Sequence, residues 1–459
     1  MRLVETCGLD SSDRDKACQE IVQRVQKEGI RGIRVGLCDL HGISRAKTVS
    51  AEHLEHVLCE GMPMQTHILA ADMQVVDVQA GTSYGMERLL SNFRLIPDPH
   101  TFRVLHWSPG WASMIGDPYF MDGSKAMIAP RHVLRQVLDR VRQMGYRVRF
   151  GSEMEFYVFD GTDGDGNLQP TTPDHQCFSE HRQAEAEPVL GPIMEHLARQ
   201  GIAILDFENE HGPGQFELNC RPEEGLAAID EQFFIRALVK EVMRAQGKMA
   251  TFMCQPTAGS ATSGLHFHQS LLALDGKNAF ADSDAEDGLS SECRFYVGGQ
   301  LHHAAALTAF ACPTITGYKR YAPGTFAPVN VSWGLDNRTV MIRVTPERDQ
   351  ATHIENRLPE PGCNPYLLAA SMVAAGLDGI ERQIDPGPPQ QRDVGSDTSL
   401  PPVPRSLEAS LAALEADETL REWLGDEMTT AFLALKRFDL EQFRSSLTDW
   451  EIKYYRSIL

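Results

Sequence analysis

Alternation of apolar and polar positions is clearest between Val148 and Val158. Val148, Phe150, Met154, Phe156 and Val158 fall on one parity, and Glu153 and Glu155 on the other. Successive strand side chains point to opposite faces, so the stretch reads as a strand with one core face and a carboxylate pair on the other. A shorter alternation from Ile33 to Asp39 predicts another strand, closed by the turn His41-Gly42. Helical spacing takes over at Ala17, Ile21, Val22 and Val25, predicting a helix over residues 12–28. It returns at Val133, Leu134, Val137, Leu138 and Val141, where Pro130 opens a helix from Arg131 to Met144. Short strand-like runs continue to Trp107 and break at Ser108-Pro109-Gly110. A domain boundary is therefore expected near residue 112, separating 17–112 from 113–459. Strands and helices alternate from there to Gly379. A Pro- and Asp-rich loop, Asp385 to Pro404, then leads into a helical C-terminal part.

Acid and imidazole side chains gather at several of these runs: Glu153 with Glu155, Glu210 with Glu217, His266 with His268, and Glu355 with Arg357. A lone Glu-x-Glu is commonest on a solvated sheet face, and a lone histidine commonly sits satisfied near a core. Recurrence within apolar, glycine-flanked runs changes that reading. Neighbouring carboxylates repel unless a cation lies between them, and oxygen-rich sets with a few imidazoles suit Mg²⁺ or Mn²⁺. The pattern predicts a divalent-metal site serving phosphate chemistry.

Composition narrows the class. With 459 residues the chain is long enough for two or three domains, or one small and one large. A net charge of −20 argues against a nucleic-acid surface and against anionic membranes. No apolar run approaches the roughly eighteen residues that span a bilayer, and Met1 to Cys7 has no hydrophobic signal core. The ten cysteines include no C-x-x-C pair, so they read as reduced thiols of a cytoplasmic protein rather than a structural zinc site.

The ordered motifs resemble the glutamine synthetase family. They are Gly151-Ser152-Glu153-Met154-Glu155-Phe156, then Glu210-His211-Gly212-Pro213-Gly214-Gln215-Phe216-Glu217, then Ser263-Gly264-Leu265-His266-Phe267-His268-Gln269-Ser270. Tyr318-Lys319-Arg320, Asp336-Asn337-Arg338-Thr339 through Arg343, Glu355-Asn356-Arg357 and Asn364-Pro365-Tyr366-Leu367 through Gly379 follow in the family's order. The resemblance implies an α+β protein: an N-terminal β-grasp domain, then an antiparallel α/β barrel of the glutamine synthetase type. It also implies a homo-dodecamer of two stacked hexamers with active sites shared between subunits.

By the same resemblance, Glu155, Glu210 and Glu217 hold one Mg²⁺ or Mn²⁺ near L-glutamate, and Glu153, His266 and Glu355 hold another at the ATP phosphates. Arg338 and Arg343 face the transferring phosphoryl group, with Arg338 catalytic, and His268 and Ser270 contact the nucleotide. Arg320 and Arg357 grip glutamate's carboxylates, where a planar fork outperforms lysine. Asp39 matches an aspartate that attracts the amine across a subunit interface and is the candidate for orienting or deprotonating it. The implied chemistry is ATP-driven amide formation through γ-glutamyl phosphate, which splits one difficult substitution into two easier ones.

Three positions depart from the ammonia-using bacterial enzymes. Phe326 stands where their flap carries a glutamate, so it offers an apolar wall or a ring face in place of acid–base chemistry. Ala261-Thr262 replaces Asn-Gly ahead of Ser263, and His353 replaces a nucleotide-contacting arginine. No tyrosine lies between Arg382 and Ser406, where adenylylated relatives are modified. These differences favour a γ-glutamylamide ligase acting on a small apolar alkyl- or arylamine. The alternatives are glutamine synthetase using ammonia, a γ-glutamylpolyamine synthetase, and a silent relative that keeps only the fold.

Overall fold

Two β-sheets organise the chain in this computed structural model, which describes residues 2–175, 177–456 and 458. The first contains β1 (Gly32–Cys38), β2 (Ser44–Ser50), β3 (Met62–Gln65), β4 (Asn92–Pro97), β5 (Arg103–Val104) and β6 (Trp111–Tyr119). Its order is β2-β1-β6-β4-β3, with β5 beside β6, and it is mixed, since β1 and β6 run parallel. Ile33, Val35 and Leu37 alternate into its core, as their parity predicts. The helix Ser12–Lys27 packs here through Ile21 and Val25, and the Ser11 hydroxyl caps it by accepting from the Arg14 N–H.

The expected boundary at residue 112 falls inside β6, and the first sheet continues to Tyr119. Ser108-Pro109-Gly110 breaks the pattern because it is the hairpin turn between β5 and β6. The Trp111 N–H closes that turn on the Ser108 carbonyl.

The second sheet holds β7 (Tyr146–Thr162), β8 (Leu168–Pro170), β9 (Ile204–Asn209), β10 (Gln215–Glu224) and β11 (Met249–Thr251). It continues with β12 (Leu265–Ala273), β13 (Trp333–Leu335), β14 (Ile342–Val344) and β15 (Ile354–Asn356). Its main path is β13-β14-β15-β12-β7-β10-β9, antiparallel except at β13–β14. Val148, Phe150, Met154, Phe156 and Val158 on β7 are all buried, as the alternation requires. Helices Pro130–Gln143, Gly225–Ala245 and Pro365–Arg382 pack around this core, the first opened by proline where its missing N–H costs nothing. The C-terminal part is helical from Leu407 to Tyr455 with short breaks. None of the ten cysteines is paired with another. Among the described residues no helix is long and apolar enough to cross a membrane.

One buried cation joins the first sheet to the helices that pack on the second. Arg131 donates to Asp230 on the helix Gly225–Ala245 (2.8 and 2.7 Å), to Asp117 on β6 (2.7 Å) and to Asp98 (2.8 Å). Burial alone would raise the Asp117 pKa, but the charges of Arg131, His132 and Arg135 hold it well below the usual carboxylate range. A depressed folded pKa contributes stability that is present above the unfolded value of 3.8 and is lost as pH falls toward the folded one. Asp117→Asn is therefore expected to cost about 1–3 kcal/mol near neutral pH. It should also narrow the gap between unfolding midpoints in urea at neutral and acid pH. An unchanged gap would remove Asp117 from the acid sensitivity of the fold.

Candidate active site

Register explains how scattered acids come to share one face. On β7 and β10, Glu155 lies directly opposite Glu217, and Glu217 in turn lies opposite Glu208 on β9. On the other side of β7, Glu153 lies opposite His266, while His268 lies opposite Glu355 and Glu355 opposite Arg343. Because i and i+2 share a face, these pairings make one continuous polar surface across six strands, from β9 through β7 to β14.

Two ligand groups emerge from it. Glu153, His266 and Glu355 bring a carboxylate oxygen or ring nitrogen within 4.8 Å of one another, matching the set expected at the ATP phosphates. The Glu153 carboxylate lies 2.6 Å from His266 Nδ1 and 3.1 Å from His268 Nε2. Burial would raise Glu153, yet hydrogen bonds from these two rings hold it well below the carboxylate range. Glu355, fully buried, is lowered to about 2, its burial outweighed by Arg357 and then by His266 and His268. Arg343 donates to Glu355 at 2.9 Å and Arg357 donates to its other oxygen.

The second group differs from expectation in one member. Glu210 and Glu217 do cluster, but the third close carboxylate is Glu208, with Glu155 alongside as the cross-strand partner of Glu217. Gln215 explains the offset, since its Nε2 donates to Glu155 at 2.8 Å and ties that carboxylate to the Ser263 hydroxyl. Glu208 carries its own signal in the sequence, since Glu208-Asn209-Glu210 repeats the i, i+2 spacing of Glu153 and Glu155. Burial first, then mutual repulsion, pushes Glu155 up to about 8 and Glu217 up to about 11. Raised this far, Glu155 and Glu217 hold protons until a cation replaces them, and an oxygen donor set of this kind fits Mg²⁺ or Mn²⁺.

The arginines sit beside these groups. Arg320 and Arg357 are both buried, and the Nε–H of each has no hydrogen-bond partner among the described residues. An unsatisfied buried donor on a cation is costly, so the pair suits an incoming carboxylate. Gly264 allows the approach: a Cβ there would lie 2.8 Å from Arg320 Nη2, 3.0 Å from Glu155 Oε1 and 3.3 Å from His266 Nε2. Arg338, which is exposed, lines a cleft of 770 Å³ together with Arg343, His268, Ser270, His353 and Glu153. That volume accommodates a nucleotide. His353 packs against His268 at 5.2 Å between ring centroids.

Phe326 is 71% exposed on its loop and holds φ at +58°, a left-handed value uncommon for a bulky residue. Its ring lies 5.1 Å from that of His211, whose Nδ1 is 2.9 Å from Glu210. Phe326 thus stands at the mouth of the second acid group, and its carbonyl accepts from Arg357 at 3.4 Å.

Asp39, the expected amine-orienting residue, lies away from this acid face. It is 1% exposed in the turn after β1, where one oxygen accepts from the backbone N–H groups of His41 and Ile43 and the other from Arg45 Nε at 2.7 Å. None of these partners belongs to the acid face.

Comparison with known proteins agrees with this geometry. Residues 127–455 match the catalytic domain of glutamine synthetase. A glutamine synthetase from Halobacterium salinarum is 33% identical over 451 residues, covering 95% of each chain. A glutamate–isopropylamine ligase from a Pseudomonas species is 29% identical over 458 residues, covering 98% of this chain and all of that one. The solved GmaS–ADP complex superposes with a TM-score of 0.84 at 31% identity, covering 95% of this chain and 99% of its own. The chain belongs to the glutamine synthetase family of ATP-dependent carbon–nitrogen ligases.

Proposed function

We propose that the protein joins the γ-carboxylate of L-glutamate to an organic primary amine, with a small apolar alkyl- or arylamine favoured, consuming ATP. The observation that carries the amine is Phe326, an exposed ring beside the Glu210 group where an ammonia enzyme places a carboxylate. Kinship with a glutamate–isopropylamine ligase supports the same choice. Kinship with a glutamine synthetase keeps ammonia as the second reading.

In this scheme Arg320 and Arg357 orient glutamate through its carboxylates, their free Nε–H groups finding partners. His268 and Ser270 border the nucleotide, while Arg338 and Arg343 neutralise charge on the transferring phosphoryl group. Glu153, His266 and Glu355 would hold one divalent ion, and Glu155, Glu210 and Glu217, with Glu208, the other. Bound there, the ions supply Lewis-acid charge neutralisation at phosphate and carboxylate oxygens. Phe326 shields the acyl phosphate from water and contacts the amine's tail. We read the first sheet with its helix as the β-grasp unit and the second as the family's barrel. We also read the assembly as a cytoplasmic dodecamer in which subunits share sites.

Phosphate release tests this directly. With ATP, L-glutamate and Mg²⁺, release is expected to rise on adding isopropylamine or aniline far more than on adding ammonia. It should cease with a chelator and return with Mg²⁺ or Mn²⁺, because oxygen ligands bind these ions reversibly. A larger response to ammonia would make glutamine synthesis the function. Full activity after exhaustive chelation would remove the ions from it.

A further inference from the structure

A second kind of ligand set lies at the mouth of the acid face. Cys177 Sγ, a ring nitrogen of His211 and a Glu210 carboxylate oxygen come within 4.8 Å of one another. The segment bearing the thiol is tied to this strand end, since His175 Nδ1 lies 2.7 Å from the His211 carbonyl oxygen and the Phe178 N–H donates to Asn209 at 3.5 Å. Cys177 is half-buried and its sulfur has no hydrogen-bond partner among the described residues, while His211 is exposed and reachable from solvent. One sulfur, one imidazole nitrogen and one carboxylate oxygen make a donor set unlike the oxygen-dominated groups beneath it. Thiolate and imidazole select Zn²⁺ and similar borderline ions over Mg²⁺.

We infer that Cys177, His211 and Glu210 form an inhibitory site for a Zn²⁺-class cation. Tetrahedral zinc sets its donors about 3.5 Å apart, within reach of side-chain rotation from the present positions. On binding, the Cys177 thiol loses its proton to solvent as the sulfur–metal bond forms, and His211 keeps its proton on the ring nitrogen that does not meet the ion. Glu210 is the lever. It also belongs to the Glu208–Glu217 group, so an ion here draws it away from that group and fills the opening beneath Phe326.

Co²⁺ serves as the probe because a thiolate ligand gives it a charge-transfer absorption that oxygen ligands do not. With the full-length protein in excess Mg²⁺, Co²⁺ should produce that band in the wild type, and Zn²⁺ should abolish it by displacement. Cys177→Ser should lack the band, and His211→Ala should need at least tenfold more Co²⁺ to develop it. In turnover assays, each variant measured against its own uninhibited rate, the Zn²⁺ concentration for half-inhibition should rise at least tenfold in Cys177→Ser. No band in the wild type, a band persisting in Cys177→Ser, or equal Zn²⁺ midpoints would overturn the site. The spectroscopic arm requires no assumption about which amine the enzyme uses.

Discussion

Glu217→Ala is expected to lower turnover by about three orders of magnitude or more while leaving the fold intact. Glu217 is buried opposite Glu155 and within ligand distance of Glu208 and Glu210, so its loss takes a donor from the centre of that group. In the proposed reaction, charge at the substrate carboxylate would then go uncompensated. Stability should move the other way in the metal-free protein. A carboxyl pushed up to about 11 favours the folded state only while protonated, so this contribution is present below the unfolded value of 4.5 and is lost as pH rises toward the folded one. Removing the group should leave the metal-free unfolding midpoint unchanged or higher at neutral pH. Loss of activity with a lowered midpoint would indicate simple misfolding, and near-normal activity would remove Glu217 from the site.

Phe326→Glu is expected to reverse the choice of amine. Each buried methylene contributes about 0.8 kcal/mol, so a three-carbon or ring-bearing amine gains roughly 2–3 kcal/mol over ammonia, a factor of thirty to over a hundred in kcat/KM. A carboxylate at the same loop position places charge beside the apolar tail and beside His211, cutting that gain while offering ammonium a counter-charge. Specificity constants for ammonia and isopropylamine, in wild type and variant, decide the matter. If wild type already prefers ammonia, or the ratio is unmoved, Phe326 does not select the amine.

Much of this site was legible because strand periodicity is local. The parity of Val148 to Val158 fixed which side of β7 faces the core and therefore where Glu153 and Glu155 point. The Ser108-Pro109-Gly110 break was misleading for the opposite reason: a tight hairpin and a domain junction use the same turn chemistry, and only strand pairing separates them. Register was beyond reach as well. That Glu208 replaces Glu155 among the closest carboxylates depends on β9 pairing with β10 and on the Gln215 amide holding Glu155 back. Arg45 beside Asp39 was visible in the sequence, but its engagement with both the carboxylate and the Met73 carbonyl depends on a fold-back of the chain.

The way β7 shares its edges has a consequence for how the protein matures. This strand pairs with β8, β10, β11 and β12, and Glu153 meets His266 from 113 positions along the chain, with Glu355 later still. Closing such long loops is entropically slow, so local helices form well before any of these ligands meet. A nascent or partly folded chain therefore carries its acids apart, with little hold on a divalent ion, and acquires affinity only when the last strand docks. Metal ions held at the proposed sites would then act on the escape from the native state rather than on the search for it, prolonging the life of the finished fold without hastening its arrival.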